Sequence, residues 1–103
     1  MRIQSTRVWI NEQFVPAQLV LENDKLKAIE PYDAQPADKD YRDLRILPGL
    51  IDIHCHGYNG LDCNYATREG LVRWIEYLPQ DGVTSFLATT STAPESNLLQ
   101  SFA

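Results

Sequence analysis

The sequence predicts an α/β fold in two parts, a β-rich segment over residues 1–47 and two β/α units over residues 48–103. Three observations predict it. Short strand-like runs broken by turn chemistry fill the first part. Residues 25–30 alternate charged and apolar side chains with period 2, as a strand with one solvated face does. After Pro48-Gly49, an apolar strand, an amphipathic helix, a second strand and a helix start follow one another, the alternation of a parallel α/β fold.

In the first part, Arg7-Val8-Trp9-Ile10 leads into the turn Asn11-Glu12-Gln13, and residues 17–22 lead into Asn23-Asp24. These runs, with residues 25–30, describe a β-meander. Residues 31–40 hold two prolines and no apolar periodicity and read as a surface loop, with a return to strand over 42–47. In the second part, residues 50–56 form a compact apolar run ending in polar groups, the pattern of a buried parallel strand whose C-terminal end faces a site. A glycine-bearing loop spans 57–65. Thr67 is the expected N-cap of a helix whose Leu71, Trp74, Ile75 and Leu78 fall at i, i+3, i+4 and i+7, stopped by Pro79 and Asp81-Gly82. Residues 83–89 read as the next strand. Thr92-Ala93-Pro94-Glu95 has the form of a capping box opening a helix toward Leu98, Leu99 and Phe102.

Composition narrows the function classes. The chain has 103 residues, 44% hydrophobic and 22% charged, which is globular rather than disordered. Nine basic against 14 acidic residues leave a net charge of −5, arguing against nucleic acid and against an anionic membrane surface as partners. The most apolar stretch, 46–53, contains Pro48, Gly49 and Asp52 and is too short to span a bilayer, and residues 1–10 lack a signal-peptide apolar region. Cys55 and Cys63 are too few for a disulfide framework and fit a reducing compartment, so the expected location is cytoplasmic. Two parallel strands cannot close a barrel, and a (β/α)₈ barrel takes roughly 250 residues, so the chain reads as part of a longer protein.

The informative constellation is Asp52-Ile53-His54-Cys55-His56-Gly57. Alternation along a strand puts His54 and His56 on one side, about 6.5–7 Å apart, where two imidazoles can converge on one metal ion. Asp52 shares their parity one pleat deeper, placed to orient an imidazole or a water. An isolated His-x-His is more simply a pair of satisfied polar residues. The glycine turn before it and the loop over 57–60 after it favour the metal. A zinc site using His54, His56 and Cys63 needs a fourth ligand from elsewhere and is the weaker option. Cys55 reads as a buried small hydrophobe and Cys63 as a loop thiol. The hydroxyls of residues 84–92 have no adjacent base at a recognisable spacing, so they are not read as nucleophiles. Thr89 and Thr90, at the end of the second strand, are pocket candidates. Trp9, Trp74, Phe86 and Phe102 read as core, and the acidic loop over 33–43 as a solvated face.

Leu47-Pro48-Gly49-Leu50-Ile51-Asp52-Ile53-His54-Cys55-His56-Gly57 resembles the first-strand motif of the amidohydrolase superfamily. With Gly82-Val83-Thr84-Ser85-Phe86-Leu87-Ala88-Thr89-Thr90 the resemblance sharpens to the N-acetylglucosamine-6-phosphate deacetylases. The resemblance covers nearly the whole chain. It implies the N-terminal part of a small β-sandwich followed by the first two β/α units of a TIM-like (β/α)₈ metal-dependent hydrolase barrel. It also implies hydrolysis of the acetamide of N-acetylglucosamine 6-phosphate to glucosamine 6-phosphate and acetate. The cofactor implied is a divalent metal ion, zinc or iron, one or two per complete enzyme.

By resemblance His54 and His56 are the metal ligands of this piece, Asp52 supports them, and Asn59, Gly60, Asp62, Thr89 and Thr90 are substrate-pocket candidates. The remaining ligands and the catalytic aspartate expected of the family come from later strands, so this chain alone is expected to be inactive. The partner implied is a small amino-sugar phosphate, with a homo-oligomer or association through exposed strand edges. Two other readings stand beside this one: a fragment of a cyclic-amide hydrolase, and a non-catalytic self-associating or metal-binding module.

Overall fold

The structure, a computed structural model, describes residues 1–102. The chain divides into two compact units, Met1–Pro48 and Gly49–Ala103.

In the first unit, β1 (Arg2–Ile10), β2 (Gln13–Glu22) and β3 (Lys25–Pro31) form an antiparallel meander. Its two hairpin turns, Asn11-Glu12 and Asn23-Asp24, hold all four residues at positive φ. That is the backbone twist which closes a two-residue hairpin, and Asn and Asp tolerate it best. Two short strands, β4 (Lys39–Asp40) and β5 (Arg45–Ile46), run parallel to β1. The loop expected over 31–40 therefore ends in strand, and only Arg45–Ile46 of the 42–47 stretch is strand. The edge of β1 explains both differences, because its backbone groups need partners. Asp38 donates its N–H to the Arg2 carbonyl, Tyr41 to Gln4, and Thr6 in return to Arg42, where the chain turns at a φ of 55°.

The covered side chains of this unit are largely polar. Gln18 and Ser5 are fully buried and Gln4 nearly so. Gln18 Nε2 donates to Gln4 Oε1 at 2.8 Å and to the Gln35 carbonyl at 2.7 Å, while Arg2 donates to Gln18 Oε1 at 2.9 Å. Such a network belongs in an interior only when its members are satisfied, as these are. Ser5 sits where the β1–β2 register shifts, between Ser5 and Val8. Its hydroxyl accepts the Arg7 N–H at 2.9 Å and donates to the Leu44 carbonyl at 2.5 Å. Val8 and Ala17 are buried beside them, while larger apolar side chains collect in an open groove of about 290 Å³, lined among others by Trp9, Leu21, Leu26, Ile29 and Leu47. Trp9 is 39% exposed and stands edge-on to Phe14, so it is not the core residue the sequence predicts.

In the second unit, β6 (Leu50–Cys55) pairs in parallel with β9 (Val83–Ala88). Between them lie a hairpin of β7 (Gly57–Tyr58) and β8 (Leu61–Asp62), a 3₁₀ turn (Cys63–Tyr65), the helix α1 (Arg68–Tyr77) and a second 3₁₀ turn (Leu78–Asp81). Thr67 caps α1, its hydroxyl accepting the Gly70 N–H at 3.1 Å. Gly82, at a φ of 77°, closes the following turn in the left-handed conformation that glycine takes without strain. The core is Cys63, Trp74 and Leu78, with Cys55, Leu71, Val83 and Phe86 packed against it, and the Trp74 and Phe86 rings lie 4.6 Å apart. Ile75 is exposed, so the apolar stripe of α1 narrows to the i, i+3 and i+7 positions.

Four other expectations are corrected here. The strand over residues 50–56, read as buried, leaves Leu50, Ile51 and Ile53 exposed, because among the described residues β9 is its one neighbour in the sheet. Cys63 is a buried core residue rather than a loop thiol. Phe102, expected in the core, is exposed. The capping box does not form: α2 (Glu95–Ser101) starts at Pro94, with no side-chain cap. Proline disfavours helical backbone in the residue before it, which keeps Thr92 and Ala93 outside the helix. The Pro94 carbonyl accepts from Asn97 and Leu98 instead.

Two substitutions measure these cores. Ser5→Ala strips the bulge of its hydroxyl partner and is expected to cost about 1–3 kcal/mol in urea unfolding, the penalty of buried unpaired backbone groups. Trp74→Ala is expected to cost about 3–5 kcal/mol by the same measurement. A loss below about 1 kcal/mol at Trp74 would contradict its central place in the cluster.

Candidate metal centre

The site is built where β6 ends beside the end of β9. The Leu50 N–H donates to the Gly82 carbonyl at the start of the pair, and the Thr89 N–H to the Cys55 carbonyl at its end, each at 2.8 Å. Between Asp52 and Cys55 the register shifts. There the Asp52 carboxylate accepts the backbone N–H of His54 at 3.0 Å. Asp52 thus holds the backbone that carries His54. Cys55 turns into the core against Trp74, where burial pushes its thiol above its ordinary range.

The side chains of His54 and His56 lean together, their rings nearly perpendicular with centroids 4.7 Å apart and their Nε2 atoms 3.0 Å apart. That is closer than the repeat along a strand, because the rings tilt toward one another. His56 Nδ1 lies 2.8 Å from the Thr89 carbonyl oxygen. A carbonyl only accepts, so Nδ1 carries the hydrogen and Nε2 of neutral His56 keeps its lone pair. In the metal-free pair His54 then donates its Nε2–H across the 3.0 Å gap, and an ion held by both Nε2 atoms would require that hydrogen to move to His54 Nδ1.

The pair passes a geometric test for one cation. Zinc–imidazole bonds are about 2.0–2.1 Å, so two nitrogens at angles between square and tetrahedral lie about 3.0–3.4 Å apart. A second partner on the far ring nitrogen, as Thr89 provides for His56, is the usual way a metal-binding histidine is oriented. Among the described residues no group of three or more His, Cys, Asp or Glu side chains is assembled to hold an ion. Cys63 is not gathered with the histidines: its thiol is buried in the apolar cluster, and burial and Asp62 both raise its pKa.

The other candidates fall in two places. Asn59 and Gly60 form the tip of the β7–β8 hairpin, both at positive φ. Asn-Gly between two short strands is the strongest local hairpin signal, and it was available in the sequence in place of an undivided loop. Gly57 is required there, since a Cβ would lie 2.1 Å from the Leu61 carbonyl oxygen. Tyr58 fastens the hairpin to the Asp81 carboxylate, a bond that raises the Tyr58 pKa. The Asp62 side chain caps the following 3₁₀ turn, accepting the Asn64 N–H at 2.8 Å. Gly60 and Asp62 line a cleft of about 370 Å³ with Tyr65, Arg73 and Trp74, and His54, His56, Thr89 and Thr90 do not line it.

Thr89 and Thr90 follow β9 and are half-buried. The Thr89 contribution to the histidine pair is its main-chain carbonyl; its hydroxyl donates to the Leu87 carbonyl at 3.0 Å. Asn64, buried in the 3₁₀ turn, escaped the sequence reading. It pairs with Ser91, 27 residues away, and no local pattern signals a contact at that distance.

Known proteins resemble the chain in sequence and in fold. The N-acetylglucosamine-6-phosphate deacetylase of Vibrio furnissii is 45% identical over 75 residues, covering 71% of this chain and 19% of that protein. The enzyme of the same name from Bacillus subtilis (strain 168) is 43% identical over 74 residues, 69% of this chain and 17% of that protein. The chain therefore spans about a fifth of the length of these curated relatives. The crystal structure of N-acetyl-D-glucosamine-6-phosphate deacetylase from Mycobacterium smegmatis superposes with a TM-score of 0.86 at 25% identity, covering 98% of this chain and 29% of that one. The model of the amidohydrolase family matches residues 45–102. More than half of the sequence lies within that match, and the chain belongs to the amidohydrolase family.

Proposed function

We propose that this chain supplies the first metal-binding strand of a metal-dependent deacetylase, which hydrolyses N-acetylglucosamine 6-phosphate to glucosamine 6-phosphate and acetate. The observation that carries the metal part is the 3.0 Å approach of the His54 and His56 Nε2 atoms, with the far nitrogen of His56 committed to the Thr89 carbonyl. The names of the relatives at 45% and 43% identity support the substrate. A divalent ion held there, zinc or iron, supplies Lewis-acid activation of water and of the amide carbonyl. His54 and His56 are the candidate ligands, and the Asp52 carboxylate fixes the main chain between them and the sheet. A cytoplasmic setting belongs to the same reading.

Two imidazoles hold an ion only loosely, because a catalytic zinc site takes about three protein ligands. The described residues assemble no third. The chain by itself is therefore proposed to bind metal weakly and to lack turnover.

Both parts are measurable. Zinc added to the chain in competition with a chromophoric chelator should bind one equivalent, and His54→Ala or His56→Ala should weaken it at least tenfold, about 1.4 kcal/mol. Unchanged affinity in both variants would remove the metal assignment. Incubated with zinc and N-acetylglucosamine 6-phosphate, the 103-residue chain should release no glucosamine 6-phosphate. Turnover by the chain alone would overturn the proposal that it is inactive by itself.

A further inference from the structure

We propose that Asn64 is a positioning residue for the histidine pair, acting through the segment that follows β9. The inference rests on the metal-binding reading above for its purpose, though the coupling it describes is a property of the metal-free chain.

Asn64 is the middle residue of the 3₁₀ turn Cys63–Tyr65 and is 6% exposed. Its side-chain amide makes a reciprocal pair with Ser91. Nδ2 donates to the Ser91 hydroxyl at 2.8 Å, and Oδ1 accepts the Ser91 backbone N–H at 2.9 Å. The second bond fixes the orientation of the amide, since a backbone N–H can only donate. Ser91 stands two residues after Thr89. The Thr89 N–H is held by the Cys55 carbonyl, and the Thr89 carbonyl accepts from His56 Nδ1. Residues 89–91 are therefore pinned on one side to β6 and on the other to the 3₁₀ turn, with the His56 acceptor between the two pins.

An interior amide with no role would be a liability, because burying one is unfavourable unless its bonds are made. Here both its donor and its acceptor are spent on one residue. Loss of that pair leaves residues 89–91 held on the β6 side alone, through the Thr89 N–H, and frees the following peptide plane, which carries the Thr89 carbonyl, to rotate. The carbonyl then turns away from His56, and the hydrogen on Nδ1 loses its acceptor, leaving only the contact with His54 to favour that form over the one with the hydrogen on Nε2. An imidazole with the hydrogen on Nε2 has no lone pair to offer an ion at that atom. Asn64 thereby sets the state of a ring it does not touch.

The test compares the chain with its Asn64→Ala and Ser91→Ala variants, and with Ser96→Ala on the exposed face of α2 as a control. Two-bond ¹H–¹⁵N correlation NMR on metal-free, ¹⁵N-labelled protein at mildly alkaline pH reads which nitrogen of His56 carries the hydrogen. Zinc affinity is read by chelator competition, and folding by far-ultraviolet circular dichroism. The parent chain and Ser96→Ala should show His56 with its hydrogen on Nδ1. Asn64→Ala should shift His56 toward the Nε2–H form and weaken zinc about tenfold, the lower end of the range for residues supporting metal ligands. Ser91→Ala removes one of the two bonds and keeps the backbone one, so its loss should be smaller, about threefold.

His56 unchanged in both folded variants would overturn the proposal, as would a zinc loss with no change of tautomer. Should Asn64→Ala fail to fold, Ser91→Ala decides by the same two readings. Absence of zinc binding by the parent chain would sink the metal reading instead, and the tautomer comparison would still decide the role of Asn64.

Discussion

The bond from His56 Nδ1–H to the Thr89 carbonyl is the constraint on which the site depends. A neutral imidazole has one hydrogen for two nitrogens, so an acceptor on one side creates a lone pair on the other. The bond is feasible only because β6 and β9 lie side by side in parallel, ending together. Parallel neighbours need a crossover, and α1 provides it. A neutral hydrogen bond contributes about 0.5–1.5 kcal/mol, whereas a buried tryptophan contributes about 3–5 kcal/mol by truncation. The cluster around Trp74 therefore brings the strands together, and the carbonyl only selects the state of the ring. Stability and the state of the ring rest on different residues.

The first unit distributes polarity in the opposite sense. Its most deeply buried side chains include two glutamines and a serine, while Trp9 and Leu26 lie in an open groove. The glutamines are tolerated because each polar atom meets a partner: Arg2, Asp33 and the Gln35 carbonyl close the network. Asp33 and Gln35 come from the segment after β3, so the polar interior also fixes the path of the chain there. A hydrophobic interior would hold that segment without choosing its register; directional bonds choose it.

What the sequence made legible was local. Thr67 as a cap and the alternation of strand and helix after Pro48-Gly49 rest on contacts within a few residues, and both are present. The side-by-side placement of His54 and His56 follows from period 2, but their 3.0 Å approach depends on ring torsions that no spacing encodes. Thr92 misled because the capping pattern ignores the restriction that Pro94 imposes on its predecessor. The strands β4 and β5 were hidden because two residues carry no period, and their existence depends on the edge of β1. Trp9 was misread because hydrophobicity alone does not say which side of a sheet is covered. The pairing of Asn64 with Ser91 is non-local, and nothing in either residue's surroundings announces it.

The two tryptophans have a practical consequence. Trp9 sits in the first unit at 39% exposure, and Trp74 in the second at 1%, against Phe86. Each half of the chain thus carries one tryptophan, and the two differ sharply in their exposure to water. Emission from a wet indole lies to the red of emission from a dry one, and a small aqueous quencher reaches the first far more readily than the second. The melting of either half is therefore separable by colour and by quenching, with no label and no redesign of the protein.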